Sequence, residues 1–216
     1  MDTFKILLII HIACGGISLI LGLYIMLAAK GNTIHKKVGN LYHYAMLISA
    51  VVALPMSYLH SNFFLFIVGV FTSYMLLTGK RYLNIKTIAD VKTIDWFWII
   101  VMLLFALAFL GCGVYLLINH NNIGIVLIVF GFISLNFVKQ DYNNFTSQST
   151  IKNFYLTTHI QRMVGSYIAT VTAFVVVNNS ILPGVIAWLL PTVCLVPFTV
   201  KWTKKYKIDV KKGVAN

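Results

Sequence analysis

Long apolar runs separated by short polar and basic segments dominate the chain. A helix that crosses a hydrocarbon core about 30 Å thick needs about 20 apolar residues. The pattern predicts seven transmembrane helices, at Phe4–Ala29, Val38–Leu59, Phe63–Leu83, Ile94–Ile118, Ile123–Val138, Phe154–Val177 and Ile181–Lys201. The predicted fold class is all-α: a polytopic membrane protein with one seven-helix domain over residues 1–203 and a basic cytoplasmic tail over residues 204–216.

The basic residues between these runs predict the orientation. Cytoplasmic loops carry the excess of Lys and Arg. With the N-terminus outside and the C-terminus in the cytoplasm, only Lys5 of the 17 Lys and Arg residues falls on the outer side. We therefore expect a multi-pass membrane protein with this orientation.

The composition limits the kinds of partner that we expect for this protein. The chain is 59% hydrophobic and 10% charged, against about 25% charged in soluble proteins. The net charge of +12 is explained by basic helix ends against anionic headgroups, each cation contributing about 1 kcal/mol. The expected partner is the lipid bilayer, and no nucleic acid is expected. The tryptophans are best interpreted as anchors at the membrane interface: Trp96, Trp98, Trp188 and Trp202.

Three predicted helices carry a stripe that begins with a histidine and continues with mostly small residues at helical spacing. The stripes are His11, Gly15, Ser18 and Gly22; Gly39, His43, Met46, Ala50, Ala53 and Ser57; and His159, Arg162 or Met163, Ser166, Thr170 and Ala173. Such stripes let membrane helices approach closely. An ionisable side chain inside a span, however, favours a functional role.

Two of the histidines lie at the same predicted depth in the membrane. His43 and His159 each lie about five residues from the predicted cytoplasmic ends of their helices, or about 7–8 Å at 1.5 Å per residue. His35, just before the second predicted helix, and Arg162, one turn from His159, would join them in a basic cluster. His11 lies about 10 Å from the opposite surface on the same rise, too far to share one metal ion with His43.

Haem b is the cofactor that this pattern favours. Imidazoles from two helices, His43 and His159, could be its axial ligands, with room beside the small residues and with Arg162 or Lys36 pairing the propionates. His11 would belong to a second, outer cofactor or to a quinone site. The predicted function is transmembrane or quinone-linked electron transfer, with a quinone or a redox protein as partner.

Three different functions stay open beside electron transfer. A zinc-dependent intramembrane hydrolase could use His35, His43 and His159 with Asp141, although Asp141 precedes what we interpret as an ordinary polar loop. The chain contains no glutamate, which excludes an HExxH protease. The second function is that of a small-solute transporter, and the third is that of a structural membrane subunit. Because the sequence contains no CxxC pair, neither a disulfide framework nor a zinc knuckle is indicated.

The chain also resembles a known family. His11-xxx-Gly15, Gly22, His35-Lys-Lys-Val-Gly39 and His159-xx-Arg162-Met-x-Gly165 resemble an uncharacterised bacterial family of predicted multi-pass membrane proteins with a domain of unknown function. The resemblance implies a location in the bacterial inner membrane but no known activity. It marks His11, His35, His159 and Arg162, but not His43. The short His-Lys-x-x-Gly motif is also similar to cytochrome b561-type electron carriers.

Overall fold

The computed structural model describes residues 2–208, without the side chains of Gly184 and Val185. Residues 209–216 of the predicted tail lie outside the described part. Within it, seven α-helices and two short 3-10 helices (Tyr82–Asn84 and Ile88–Asp90) occur, and no strand. The α-helices are α1 Thr3–Leu27, α2 Thr33–Leu59, α3 Phe63–Arg81, α4 Thr93–Ile118, α5 Ile123–Phe145, α6 Phe154–Val177 and α7 Gly184–Tyr206. In each of these seven helices a stretch is long and apolar enough to cross a membrane, so the all-α class and the helix count are confirmed over these residues.

The start of α2 differs from the prediction. The helix begins at Thr33 rather than Val38, because the side chain of Asn32 accepts a hydrogen bond from the His35 N–H at 2.7 Å. This N-cap satisfies one of the backbone donors that a helix start leaves open. The placement of His35 before the helix was therefore wrong: it lies in the first turn.

The observed end of α5 differs from the predicted end by more than the start of α2 does. The helix ends at Phe145 rather than Val138, so the interpretation of residues 142–144 as a polar loop was wrong. Asp141 and Asn144 are both buried within this extension. Buried polar side chains are tolerated when they have hydrogen-bond partners, and the partners of these two come from other helices.

The last helix is shifted toward the C-terminus. Pro183 precedes α7, and its carbonyl accepts hydrogen bonds from the Ile186 and Ala187 N–H groups. The helix begins at Gly184 rather than at the predicted Ile181. The helix continues through Tyr206, so residues 204–206 of the predicted tail are helical.

The chain divides into two compact units. The first comprises Met1–Leu77 and Arg162–Thr199, and the second comprises Thr78–Gln161 and Val200–Asn216. Each is described by itself below.

In the first unit, small residues of α1 let aromatic side chains pack closely. A Cβ on Gly22 would collide with the ring of Tyr167 and would lie 3.1 Å from the ring of Tyr42. The Tyr42 hydroxyl is hydrogen-bonded to Ser166 at 2.8 Å, and the Tyr167 hydroxyl donates to the Leu19 carbonyl at 3.2 Å. These contacts join α1, α2 and α6.

In the second unit, α4 and α5 form a hairpin joined through glycines. A Cβ on Gly124 would lie 2.5 Å from the Gly113 carbonyl oxygen, and one on Gly113 would lie 3.0 Å from the Gly124 carbonyl oxygen. The two backbones therefore touch, as small residues permit in membrane helices. A core at the other end of this hairpin contains Tyr82, Ile85, Ile99, Phe145 and Phe154.

Candidate functional site

Among the acids of the second unit that the structure describes, Asp141 is the most deeply buried. Asp141 is 1% exposed, and Tyr82 is also 1% exposed. The Tyr82 hydroxyl donates to Asp141 Oδ1 at 2.7 Å. A carboxyl inside a membrane span is costly and marks a functional site by default.

Two further side chains extend this pair into a chain of hydrogen bonds. Asn144, one turn beyond Asp141 on α5, donates from Nδ2 to the Tyr82 hydroxyl and to the Thr158 hydroxyl, both at 3.2 Å. Asn144 and Thr158 are buried. We call Asp141, Tyr82, Asn144 and Thr158 the Asp141 network. It joins α5, α6 and the segment after α3, and a hydrogen-bonded network of this kind fixes its members in place.

An ion pair lies beside the network. Arg81 donates to both oxygens of Asp95, from Nε and from Nη2, each at 2.8 Å. Asp95 also accepts the Lys92 N–H at 2.8 Å, and Arg81 Nη2 donates to the Asp90 carbonyl at 2.8 Å. A bidentate pair is the strong geometry for arginine and carboxylate.

The connection that precedes α4 is fixed by Asp90. Its carboxylate accepts hydrogen bonds from the Thr87 N–H at 2.9 Å, the Thr87 hydroxyl at 3.0 Å and the Lys86 N–H at 3.1 Å. These bonds, first of all those from Thr87, lower the pKa of Asp90. The turn therefore holds an ionised carboxylate, and the carbonyl of Asp90 remains in place for Arg81.

A small cavity lies between the ion pair and the network. Its lining residues are Thr78, Arg81, Tyr82, Ile85, Asp95, Asp141 and Phe145. It leaves ≈ 10 Å³ for the centre of a water-sized molecule, about the minimum that one ordered water requires. The Arg81 side chain is 24% exposed while that of Asp95 is 2% exposed. The lining thus includes both a residue that reaches the surface and the buried acid.

His159 lies in the same unit and its orientation is fixed. Its Nδ1 is 2.7 Å from the Gly79 carbonyl oxygen. A carbonyl can only accept, so Nδ1 carries the proton in this bond, and Nε2 is the basic nitrogen of the neutral ring. A backbone carbonyl on one ring nitrogen is the usual arrangement for a histidine that binds a metal through the other.

The other predicted residues lie in the first unit. His11 Nδ1 is 3.0 Å from the Ser49 carbonyl, and the Ser49 hydroxyl donates to the His11 carbonyl at 3.2 Å, which joins α1 to α2. His43 is buried, and the centre of its ring lies 5.1 Å from the centre of the Tyr44 ring. His35 is half-buried. Arg162 is 0% exposed, with its guanidinium 5.1 Å from the Tyr74 ring centre.

These positions bear on the zinc hypothesis. His11, His35, His43 and Arg162 belong to the first unit, and His159 and Asp141 belong to the second. Among residues 2–208, no group of three or more His, Cys, Asp or Glu side chains is placed to hold one metal ion. A zinc site on His35, His43, His159 and Asp141 stays a prediction without a geometric basis in the described residues.

The small-residue stripes also bear on the haem hypothesis. Gly22 is covered by Tyr167 and Tyr42. On α2, Ala50 and Ala53 lie against Gly69 of α3. Side chains of neighbouring helices thus fill the positions assigned to the macrocycle along these two stripes, as in ordinary helix packing. The filled stripes give no geometric support to a macrocycle there, and haem ligation by His43 and His11 stays a prediction.

Comparison with protein-family models, with curated proteins and with solved structures finds no match to this chain.

Proposed function

We propose that this protein is a transporter that couples the movement of a small solute to protons at Asp141. In this proposal it spans the bacterial inner membrane with its Lys- and Arg-rich helix ends in the cytoplasm. The observation that carries the proposal is a carboxyl that is 1% exposed, lies within a helix of membrane-spanning character and lines a water-sized cavity. Acids in such positions mark proton and ion pathways.

The hydrogen-bond partners of Asp141 suit proton exchange. The Tyr82 hydroxyl that donates to Asp141 can also accept, as it does from Asn144. A hydroxyl can rotate and change roles when a carboxyl gains a proton and becomes a donor. The Tyr82 hydroxyl can therefore bond to the carboxyl in either protonation state.

The cavity supports a route for the proton. Water that enters beside the partly exposed Arg81 would meet Tyr82 and Asp141, which line the same cavity. Arg81 is held by Asp95 and by the Asp90 carbonyl, so its position in the lining is fixed. A single ordered water would then complete the path to the carboxyl.

Reconstitution of the full chain into liposomes that contain a pH-sensitive dye tests the proposal. Membrane potential is clamped, and amino acids, sugars, organic acids and inorganic cations are added in turn. At least one class should drive proton movement that protein-free liposomes lack. If no class does so in vesicles that contain folded protein, the transport proposal is wrong.

A haem b on His159 is a second candidate function, and one observation favours it. The Gly79 carbonyl fixes the ring so that Nε2 is the basic nitrogen, which is the tautomer that an axial ligand needs. A bound haem would supply one-electron chemistry for electron transfer.

The visible spectrum of protein purified from haem-supplied cells tests this candidate. Haem on His159 predicts a Soret band that shifts on reduction with dithionite and is lost in His159→Ala. His120→Ala, in an exposed position, is the matched control and should keep the band. Colourless wild-type protein would exclude the candidate and leave the transport proposal untouched.

A further inference from the structure

A basic and aromatic patch lies where α7 ends and α6 begins. The patch consists of Lys152, Lys201, Trp202, Lys204, Lys205 and Tyr206, all in the second unit. Its four lysines are exposed and its two aromatic residues are half-buried. We call it the α7 patch.

Two lysines of the patch are positioned over aromatic rings. Lys205 Nζ lies 5.2 Å from the centre of the Trp202 ring and 5.6 Å from that of Tyr206, and Lys201 Nζ lies 5.7 Å from Trp202. The two rings are stacked, 6.2 Å apart with 17° between their planes. Cation–π contacts attract a lysine ammonium to the face of an aromatic ring. The positive charges of Lys201 and Lys205 are therefore held beside the same pair of rings.

The backbone beneath the patch is fixed by Asn153. Its side-chain amide donates to the Tyr206 carbonyl and accepts the Ile208 N–H at 2.9 Å. The Lys152 N–H donates to the Ile208 carbonyl at 2.7 Å. These three bonds bring Lys152, at the approach to α6, next to the end of α7.

Acids elsewhere in the unit do not belong to this patch. Asp90, Asp95 and Asp141, the acids of the second unit within residues 2–208, accept hydrogen bonds from Thr87, Arg81 and Tyr82 respectively. The patch is therefore complementary to an anion. Val200, which directly precedes Lys201 on α7, is 43% exposed, so apolar surface lies beside the charges.

We propose that the α7 patch is a binding site for the headgroup of an anionic phospholipid. The phosphate would be paired by Lys201 and Lys205, with Trp202 at the level of the membrane interface, where tryptophan is enriched. The acyl chains would lie along α7, where Val200 is 43% exposed. The apolar surface selects a lipid over a free anion, and the site does not depend on the transport proposal.

Native mass spectrometry of the detergent-purified full chain, titrated with phosphatidylglycerol, tests this site. Phosphatidylethanolamine is the zwitterionic comparison. A lysine near an anionic lipid contributes about five-fold in affinity, so Lys201→Gln with Lys205→Gln should weaken phosphatidylglycerol binding about 30-fold. Lys36→Gln with Lys37→Gln removes the same charge from exposed positions of α2 and should have much less effect.

A second variant separates position from charge. Asn153→Ala keeps every lysine but removes the bonds to Tyr206 and Ile208, so it should also weaken binding, by several-fold. Equal weakening in the Lys36 and Lys37 control, or equal affinity for both lipids, would overturn the proposal. Displacement of the lipid by inorganic phosphate would overturn it too, because the patch would then be a free-anion site.

Discussion

Gly124→Ala is expected to destabilise the protein by about 1–3 kcal/mol, the usual cost of overpacking. The added Cβ would lie 2.5 Å from the Gly113 carbonyl oxygen and 2.8 Å from Leu117 Cγ. The first of these is a backbone atom, which cannot rotate away, so α4 and α5 must move apart. Thermal unfolding in detergent measures the loss.

Gly111→Ala is the matched control in the same hairpin. Nothing lies within 4 Å of a Cβ at Gly111, and alanine is favoured over glycine inside a helix by about 0.5–1 kcal/mol. This variant should unfold at the wild-type temperature or slightly above it. Similar destabilisation by both variants would mean that the glycines do not set the distance between α4 and α5.

Asp141→Leu is expected to destabilise the protein by about 1–3 kcal/mol, because the buried Tyr82 hydroxyl loses this acceptor. Asp141→Asn keeps a side-chain oxygen of the same reach, so its loss of stability should be smaller. Asp2→Asn, at an exposed position before α1, is the control and should leave unfolding unchanged. If the Leu and Asn variants unfold at the same temperature as wild type, the Tyr82 bond contributes nothing and the network is not a fixed element.

The length of the apolar runs predicted the helices because membrane spanning depends mainly on hydrophobic length. The same criterion missed the end of α5, where Asp141 and Asn144 have the composition of a loop. Helical spacing was an available signal: Ser134, Val138, Asp141 and Phe145 follow one another at steps of four, three and four residues. A face that continues in this way predicts helix beyond Val138.

The partners at the site could not be predicted in the same way. Tyr82 lies 59 positions before Asp141, and no local pattern connects them. His11 and His159 both bond to backbone carbonyls, of Ser49 and Gly79. Every residue offers such a carbonyl, so the sequence contains no mark of these bonds. The assignment of the histidines to a functional site, and their haem and zinc roles, stay predictions.

The small-residue stripes show a related limit. Stripes at helical spacing are equally consistent with close helix contact and with space for a cofactor. On α1 the large side chain that covers Gly22 is Tyr167, which comes from a helix far along the chain. Only tertiary packing distinguishes a filled stripe from an open one.

Solute transport by Asp141→Asn in proteoliposomes tests proton coupling at Asp141 most directly. The amide resembles a carboxyl that never releases its proton. Exchange of labelled solute at equal concentrations, which needs no net proton movement, should therefore continue, while accumulation driven by a proton gradient should be lost. Wild type and Asp2→Asn should perform both. Undiminished gradient-driven accumulation by Asp141→Asn would contradict the account, and loss of both activities would assign Asp141 a structural role instead.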